Sequence, residues 1–342
     1  MEQSVQHERE VTTAGGDIAF EQKHSLLKDA FKRLARNKAA IGGGVIIILL
    51  ILIAIFADQI APYHFSTAVM KDESNVPVWI TKVFPSIVNY AKYNDKYLFG
   101  ADYIGRDIFS RVIYGTRISL TVAFIGPIIS IVIGLIYGSI SGYFGGKVDN
   151  IMMRFVDIMY GFPSILFIIL LMAFFRSQLT ELEPGTFAYT LSKIDESLGG
   201  MFFIFVGIGV TAWQTMARLT RGQILSIKEK EFIEAARSLG ASDLHIIFKH
   251  ILPNIIGPLI VSETLAIPGY ISTEAFLSFI GLGVNPPTPS WGAMISDGAK
   301  AIRTYPNQVF APAIMLGITM FAFNFLGDGL RDAFDPKLRG RQ

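Results

Sequence analysis

Cysteine is absent from all 342 residues, which excludes disulfides and thiolate metal sites. A GxxxxGK[ST] phosphate loop is also missing, so nucleotide binding by that route is not expected of this chain. Charge is sparse, at 17% of residues with a net of +2; the overall sign points to no polyanionic partner, and no nucleic acid is expected. The five histidines (His7, His24, His64, His245, His250) are scattered. His245 and His250 stand five apart, which does not put them on one helical face as two-ligand spacing would, and no metal site is expected. No Ser-His-Asp set or carboxylate pair stands out by spacing, so no catalytic residue is assigned and the chain is not expected to be an enzyme.

Apolar residues are abundant instead: 51% of the chain is hydrophobic and the mean hydropathy is +0.45. They cluster into runs. Residues 39–57 (AAIGGGVIIILLILIAIFA) hold 19 positions without an ionisable side chain. As a helix that run is about 28 Å long, roughly a hydrocarbon core. Similar runs cover 118–140, 158–175, 201–217, 255–283 and 309–326, so six transmembrane helices and an all-α membrane protein are expected. The runs lack the period-2 alternation of barrel strands. The first run follows 38 residues and has no small-residue cleavage site after it, which reads as an uncleaved span.

Lysine and arginine set the expected orientation. Residues 25–38 carry five bases (Lys28, Lys32, Arg33, Arg36, Lys38) against Asp29 alone, placing the amino-terminal side in the cytosol. Residues 218–254 hold six bases and four acids, 329–342 four and two, and 176–200 two and four, all in agreement. The termini are therefore expected to be cytosolic. Residues 1–24 read as a disordered tail. Residues 25–117 read as an interfacial helix with Leu27, Phe31, Leu34 and Ala35 on one face, then the first span and a long, partly folded outer loop. Residues 118–330 form a five-span core, and 331–342 a tail. Pro127, Pro163, Pro258, Pro268 and Pro312 interrupt later spans, which requires a packed bundle. Gly126, Gly134, Gly138 and Gly142 mark a face allowing close helix approach.

Two acids fall inside the fifth run. Glu263 is expected about 12 Å deep and Glu274 near the outer surface. Ionisable groups at such depth are candidate path residues, although for a single residue a bundle-facing carboxyl hydrogen-bonded to a neighbouring helix is the favoured reading.

Between two apolar runs lies EFIEAARSLGASDLHIIFKHILPN, residues 231–254. Phe232, Ala235 and Ala236 form a turn another protein can approach, with Glu231, Glu234 and Arg237 at its rim. Gly240 permits a turn, and a second helix over 244–252, with Ile246, Ile247 and His250 on one side, is expected to end at Pro253.

The segment resembles the EAA loop of ABC importer permeases: EAA, three residues, G, nine residues, I-x-L-P. Glu234, Ala235, Ala236, Gly240, Leu252 and Pro253 match in register, and His250 stands at the isoleucine position. From about residue 26 onward, stretches such as GYFGGKVDNIMMRFVDIMYGFPSILF and EAFLSFIGLGVNPPTPSWGAMISDG are similar to the C-type permease subunit of oligopeptide, dipeptide and nickel importers. The resemblance implies a type I ABC importer permease fold in a bacterial or archaeal cytoplasmic membrane. It also implies a second homologous permease, two ABC ATPase subunits gripping the EAA loops, and an extracytoplasmic binding protein that delivers the solute. ATP and Mg would belong to the ATPase partners, with no cofactor in this chain. An ion-driven secondary transporter using Glu263 as proton carrier, a permease for nickel or another small solute, and an anchor that moves nothing stay open on the residues alone.

Overall fold

The computed structural model describes residues 26–90, 92–178 and 185–335; the expected disordered tail over 1–24 and the last residues of the carboxy-terminal tail lie outside the described residues. Among the described residues, five helices are long and apolar enough to cross a membrane: α2 (Lys38–Ile55), α3 (Ile108–Phe144), α7 (Phe202–Ile227), α9 (Asp243–Phe279) and α11 (Asn307–Phe334). Between α3 and α7 come α4 (Gly146–Tyr160), α5 (Ser164–Gln178) and the shorter α6 (Phe187–Ser197). A short α1 (Leu26–Leu34) precedes α2; α8 (Glu231–Ser238) links α7 to α9, and α10 (Trp291–Ala299) precedes α11.

The expected third span, 158–175, is broken. Helices α4 and α5 meet at a 77° bend, so the count reaches six only if that pair is one span. The break falls at Gly161, Phe162 and Pro163, where proline brings no N–H and disfavours helical geometry in the residue before it. Apart from α2 and the far end of α9, the remaining spans outrun their apolar stretches, because a helix continues into water wherever its side chains and caps allow. Thus α3 starts at Ile108, where the Asp107 carboxylate caps it by accepting from Ser110 N at 2.8 Å.

Helix α3 lies along α7 through its glycines. A Cβ on Gly134 would fall 2.5 Å from Met216 Cβ, one on Gly138 would strike the Ala217 carbonyl, and one on Gly142 would sit 3.1 Å from the Arg221 carbonyl. Gly126 takes the Tyr270 ring of α9 instead. On the other side α2 meets α11, with Gly43 under Ala322 and Gly329 under Ala40. Helix α1 folds back on that same end of α11: Leu34 reaches Gly329 and Arg33 donates to the Asp335 carbonyl at 3.4 Å. Phe31, on the same helix, stays 70% exposed.

At the opposite end, the long segment between α2 and α3 is folded. It contains a two-stranded parallel ladder, β1 (Asn75–Val76) with β2 (Lys92–Tyr93). Buried Asp72 accepts from Lys96 and Tyr97 at 2.9 Å each, and the Lys96 ammonium holds that carboxyl below the usual range. Arg106 donates to Asp102 at 2.6 Å, while Arg111 donates to the carbonyls of Phe65 (3.1 Å) and Pro287 (3.2 Å). The segment is thereby tied to the ends of the bundle.

The seam predicts a graded response. Gly138→Ala places a methyl against backbone that cannot rotate away and should destabilise the chain by about 1–3 kcal/mol. Gly142→Ala, with more room, should cost clearly less. Thermal unfolding of the detergent-purified variants checks this, and equal midpoints would remove the seam from its structural role.

Candidate functional site

Glu231 to Ser238 form α8, which ends in a Schellman turn. The Ala241 N–H donates to the Ala236 carbonyl at 3.1 Å and the Gly240 N–H to Arg237 at 3.0 Å, with Gly240 at φ +81°. The glycine is needed for this left-handed conformation rather than for space, since nothing lies within 4 Å of a Cβ built there. Ser242 then caps α9, its hydroxyl accepting from His245 N at 3.4 Å.

Pro253 does not end this second helix, contrary to the sequence expectation. The chain widens into a π-helical stretch, Ile246–Ile251, and runs on as α-helix from Leu252 to Phe279. Widening accommodates the ring and the missing N–H of Pro253, and the Asn254 side chain donates to the His250 carbonyl at 2.6 Å. The same change of pitch overturns the spacing argument for the two histidines: the rings of His245 and His250 stand 5.7 Å apart. Among the described residues, no group of three or more His, Cys, Asp or Glu side chains is placed to hold a metal.

The loop is fixed to the bundle by its own core. Ile233, Ala236, Ile246, Ile251 and Ile255 are buried against Met216, Ile224 and Leu259. Ala236 therefore faces inward, whereas Glu234, Ala235 and Gly240 are exposed, His250 and Leu252 half-buried, and Pro253 exposed. Ion pairs brace the base. Arg221 grips Asp149 with two bonds of 2.5 Å, Ser141 donates to the same carboxylate, and Lys228 reaches the Gly142 carbonyl at 3.1 Å. Tyr143 donates to Asp243 at 2.6 Å, joining the end of α3 to the start of α9.

Four large apolar side chains are left outside: Phe232, Leu239 (88% exposed), Leu244 and Phe248. Sequence reasoning singled out Phe232 but missed the other three and favoured the side holding Ile246, which is buried. The 244/248 spacing was the available signal. Its meaning depended on which face the core would take.

Glu263 and Glu274 both lie inside the bundle. Glu263 accepts from Ser130 of α3 at 2.6 Å and from Tyr270 at 2.9 Å. Glu274 is fully buried, accepts from Ser278 at 2.6 Å, and has Ser119 and Ser290 as further neighbours.

Residues 130–340, which include this loop and both acids, match the family described as binding-protein-dependent transport system inner membrane component. The chain belongs to this family. Residues 25–77 also match the N-terminal transmembrane domain of oligopeptide transport permease C. The oligopeptide transport system permease protein OppC of Bacillus subtilis (strain 168) is 42% identical over 315 residues, covering 92% of this chain and 91% of the relative. The dipeptide transport system permease protein DppC of the same organism is 40% identical, covering 92% and 87%. The glutathione transport system permease protein GsiD of Pectobacterium atrosepticum is 35% identical, covering 91% of each. Among solved structures, the inward-facing MetNI methionine ABC transporter aligns with a TM-score of 0.51 at 20% identity, over 65% of this chain and 96% of that one. The type I importer permease fold implied by the resemblance is thus the fold observed.

Substitutions at two positions probe the site. Gly240→Ala forces a Cβ into left-handed geometry at a cost of about 1–2 kcal/mol, whereas Gly240→Asn should be milder. Hydrogen exchange at the Ala241 amide should accelerate in that order; unchanged exchange in both would refute the turn. Glu263→Leu leaves the Tyr270 hydroxyl without its acceptor and should cost about 1–3 kcal/mol, while Glu263→Gln keeps an acceptor in place and should unfold near the wild-type midpoint.

Proposed function

We propose that this permease is one of a pair of homologous subunits in an ATP-driven importer of peptides, and that the segment 231–253 is its ATPase-docking element. The observation that carries the proposal is the combination of a rigidly based loop with an exposed apolar rim. Phe232, Leu239, Leu244 and Phe248 project from a loop whose own core is closed, which is the pattern of anchors awaiting a groove. Glu234 and Ala235 supply the polar and close-contact rim, Gly240 the turn, and Ala236, Leu252 and Pro253 the support. His250 lies along the supporting helix.

The excess of bases in residues 25–38 and 218–254 supports placing this end in the cytosol, with both termini there. The folded segment between α2 and α3 then faces outward, where an extracytoplasmic binding protein would deliver solute. ATP and Mg are held by two ABC ATPase subunits, and closure of that pair pushes on the loops. Peptide is favoured as cargo because relatives named for oligopeptide and dipeptide transport align along nearly the whole chain. Solute passes along the interface of the two permeases. Glu263 and Glu274, held by hydroxyls within one bundle, act as packing groups there rather than as proton carriers.

The test is reconstitution with the second permease and the ATPase subunits, using Leu239→Asp and Phe248→Asp, with Phe187→Asp at the other end as control. Losing a buried apolar anchor costs about 2 kcal/mol or more, so peptide-stimulated ATP hydrolysis should fall at least tenfold in the first two variants only. Their unfolding midpoints should match wild type. Hydrolysis at the wild-type rate in both loop variants would overturn the docking assignment. Glu263→Gln should retain ATP-dependent uptake; uptake driven by a proton gradient without ATPase would overturn the importer reading itself.

A further inference from the structure

At the end of the bundle opposite the docking loop, an apolar groove of about 380 Å³ runs between a short helix, Val78–Val83, and the first turns of α11. Trp79, Val83 and Phe84 wall one side and Phe310, Ile314 and Met315 the other. The Phe84 and Phe310 rings meet at 4.9 Å and close the groove at one point. Its volume lies within the range of small-molecule clefts, about 300–1,000 Å³.

The groove is built rather than incidental. Trp79 Nε1 donates to the Leu98 carbonyl at 2.9 Å, which satisfies the only polar atom of the indole and leaves hydrocarbon to face outward. The short helix begins where Asp95 accepts from Val78 N at 2.8 Å. Asn307 at the base of α11 donates to the Phe99 carbonyl at 2.9 Å, tying the same loop to the helix. Both walls are therefore held in place.

What covers it follows from where it leads. Phe310 and Ile314 continue as Ile318, Phe321 and Phe325, five exposed large apolar side chains along one face of α11, with Gly317 among them. Helix contacts inside membranes favour close backbone approach at small residues, as the glycines of α3 and Gly43 of α2 show; on this face of α11 the five large side chains surround a single glycine, Gly317, a surface dominated by bulk that suits fluid hydrocarbon. The groove walls 310–315 fall within the apolar run of the span, so the Val78–Val83 helix meets the bilayer at its edge. Exposed Trp79, Tyr90 and Tyr93 belong to the residue types of a membrane–water interface, and Lys82 is exposed on the same helix.

We infer that the groove holds an acyl chain of a phospholipid from the adjacent leaflet, so that the segment between α2 and α3 is seated on the membrane rather than raised above it. The lipid tail fills the space between Trp79 and Ile314, and the aromatic side chains lie at headgroup level.

Trp79 itself reports on this, because the other two tryptophans, Trp213 and Trp291, are buried. The full chain is reconstituted, alone and with the second permease, in vesicles of phosphatidylethanolamine and phosphatidylglycerol doped with phosphatidylcholine brominated on its acyl chains. The emission lost in Trp79→Phe isolates the Trp79 signal. At least half of that signal should be quenched by bromine, and aqueous iodide should quench it several-fold less than free tryptophan. Val83→Asp, an exposed position outside the spans, should abolish a phospholipid adduct seen by native mass spectrometry while leaving the unfolding midpoint in place. Quenching by iodide but not bromine would place the loop in water and overturn the inference. Bromine quenching that disappears when the second permease is present would also overturn it, assigning the groove to a subunit interface.

Discussion

Close backbone approach between α3 and α7 is the constraint on which the rest of the molecule depends. In a bilayer the hydrophobic effect does not draw helices together, since lipid tails are as apolar as leucine. Dispersion and polar contacts must do so, and both need short distances. Gly134 and Gly138 allow α7 to lie against the backbone surface of α3, and this brings Arg221 to Asp149 and Lys228 to the Gly142 carbonyl. Those bonds in turn fix the end of α7 from which the exposed loop projects. The position of the loop is thus inherited from glycines within the membrane.

Polar groups in this fold are spent on joining elements. Asp149 joins α3, α4 and α7; Glu263 joins α3 to α9; Arg111 joins α3 to the carbonyls of two separate loops. A buried charge or hydroxyl in an apolar setting is costly unless paired, so each such group favours one arrangement of its neighbours over slipped alternatives. The two ends of the bundle show the same economy, with Asp243 bonded to Tyr143 at one and Asp72 to Tyr97 at the other.

Much of this was legible in the sequence. The apolar runs located the spans, the α3 glycines announced their seam, and the segment from Glu231 to Pro253 was distinctive enough to draw attention. Boundaries were less legible. Apolarity reports where lipid lies, whereas a helix such as α3 begins at its cap, well before its lipid-facing stretch. The break at Gly161–Pro163 was hidden because Gly, Phe and Pro keep hydropathy high while ending helical geometry. The passage through Pro253 was hidden for the opposite reason: proline predicts a stop, and only the π-helical widening, which has no simple residue signature, removes it. The exposure of Leu239, Leu244 and Phe248 could not be read from the 244/248 spacing alone, because it depends on which side the isoleucines of the loop bury.

Helix α9 runs without a break from Asp243 beside the loop to Phe279 near the far end, 37 residues in the span that includes the π-helical stretch. At 1.5 Å per residue that is a rod of about 55 Å. A lever of this length converts small angles into large travel: a tilt of about 5° about one end moves the other by about 5 Å, close to the pitch of one helical turn. Glu274 and its serines stand near that other end, packed around α10 and the start of α3. One continuous helix thus joins Asp243, beside the loop, to Glu274 near the far end of the bundle.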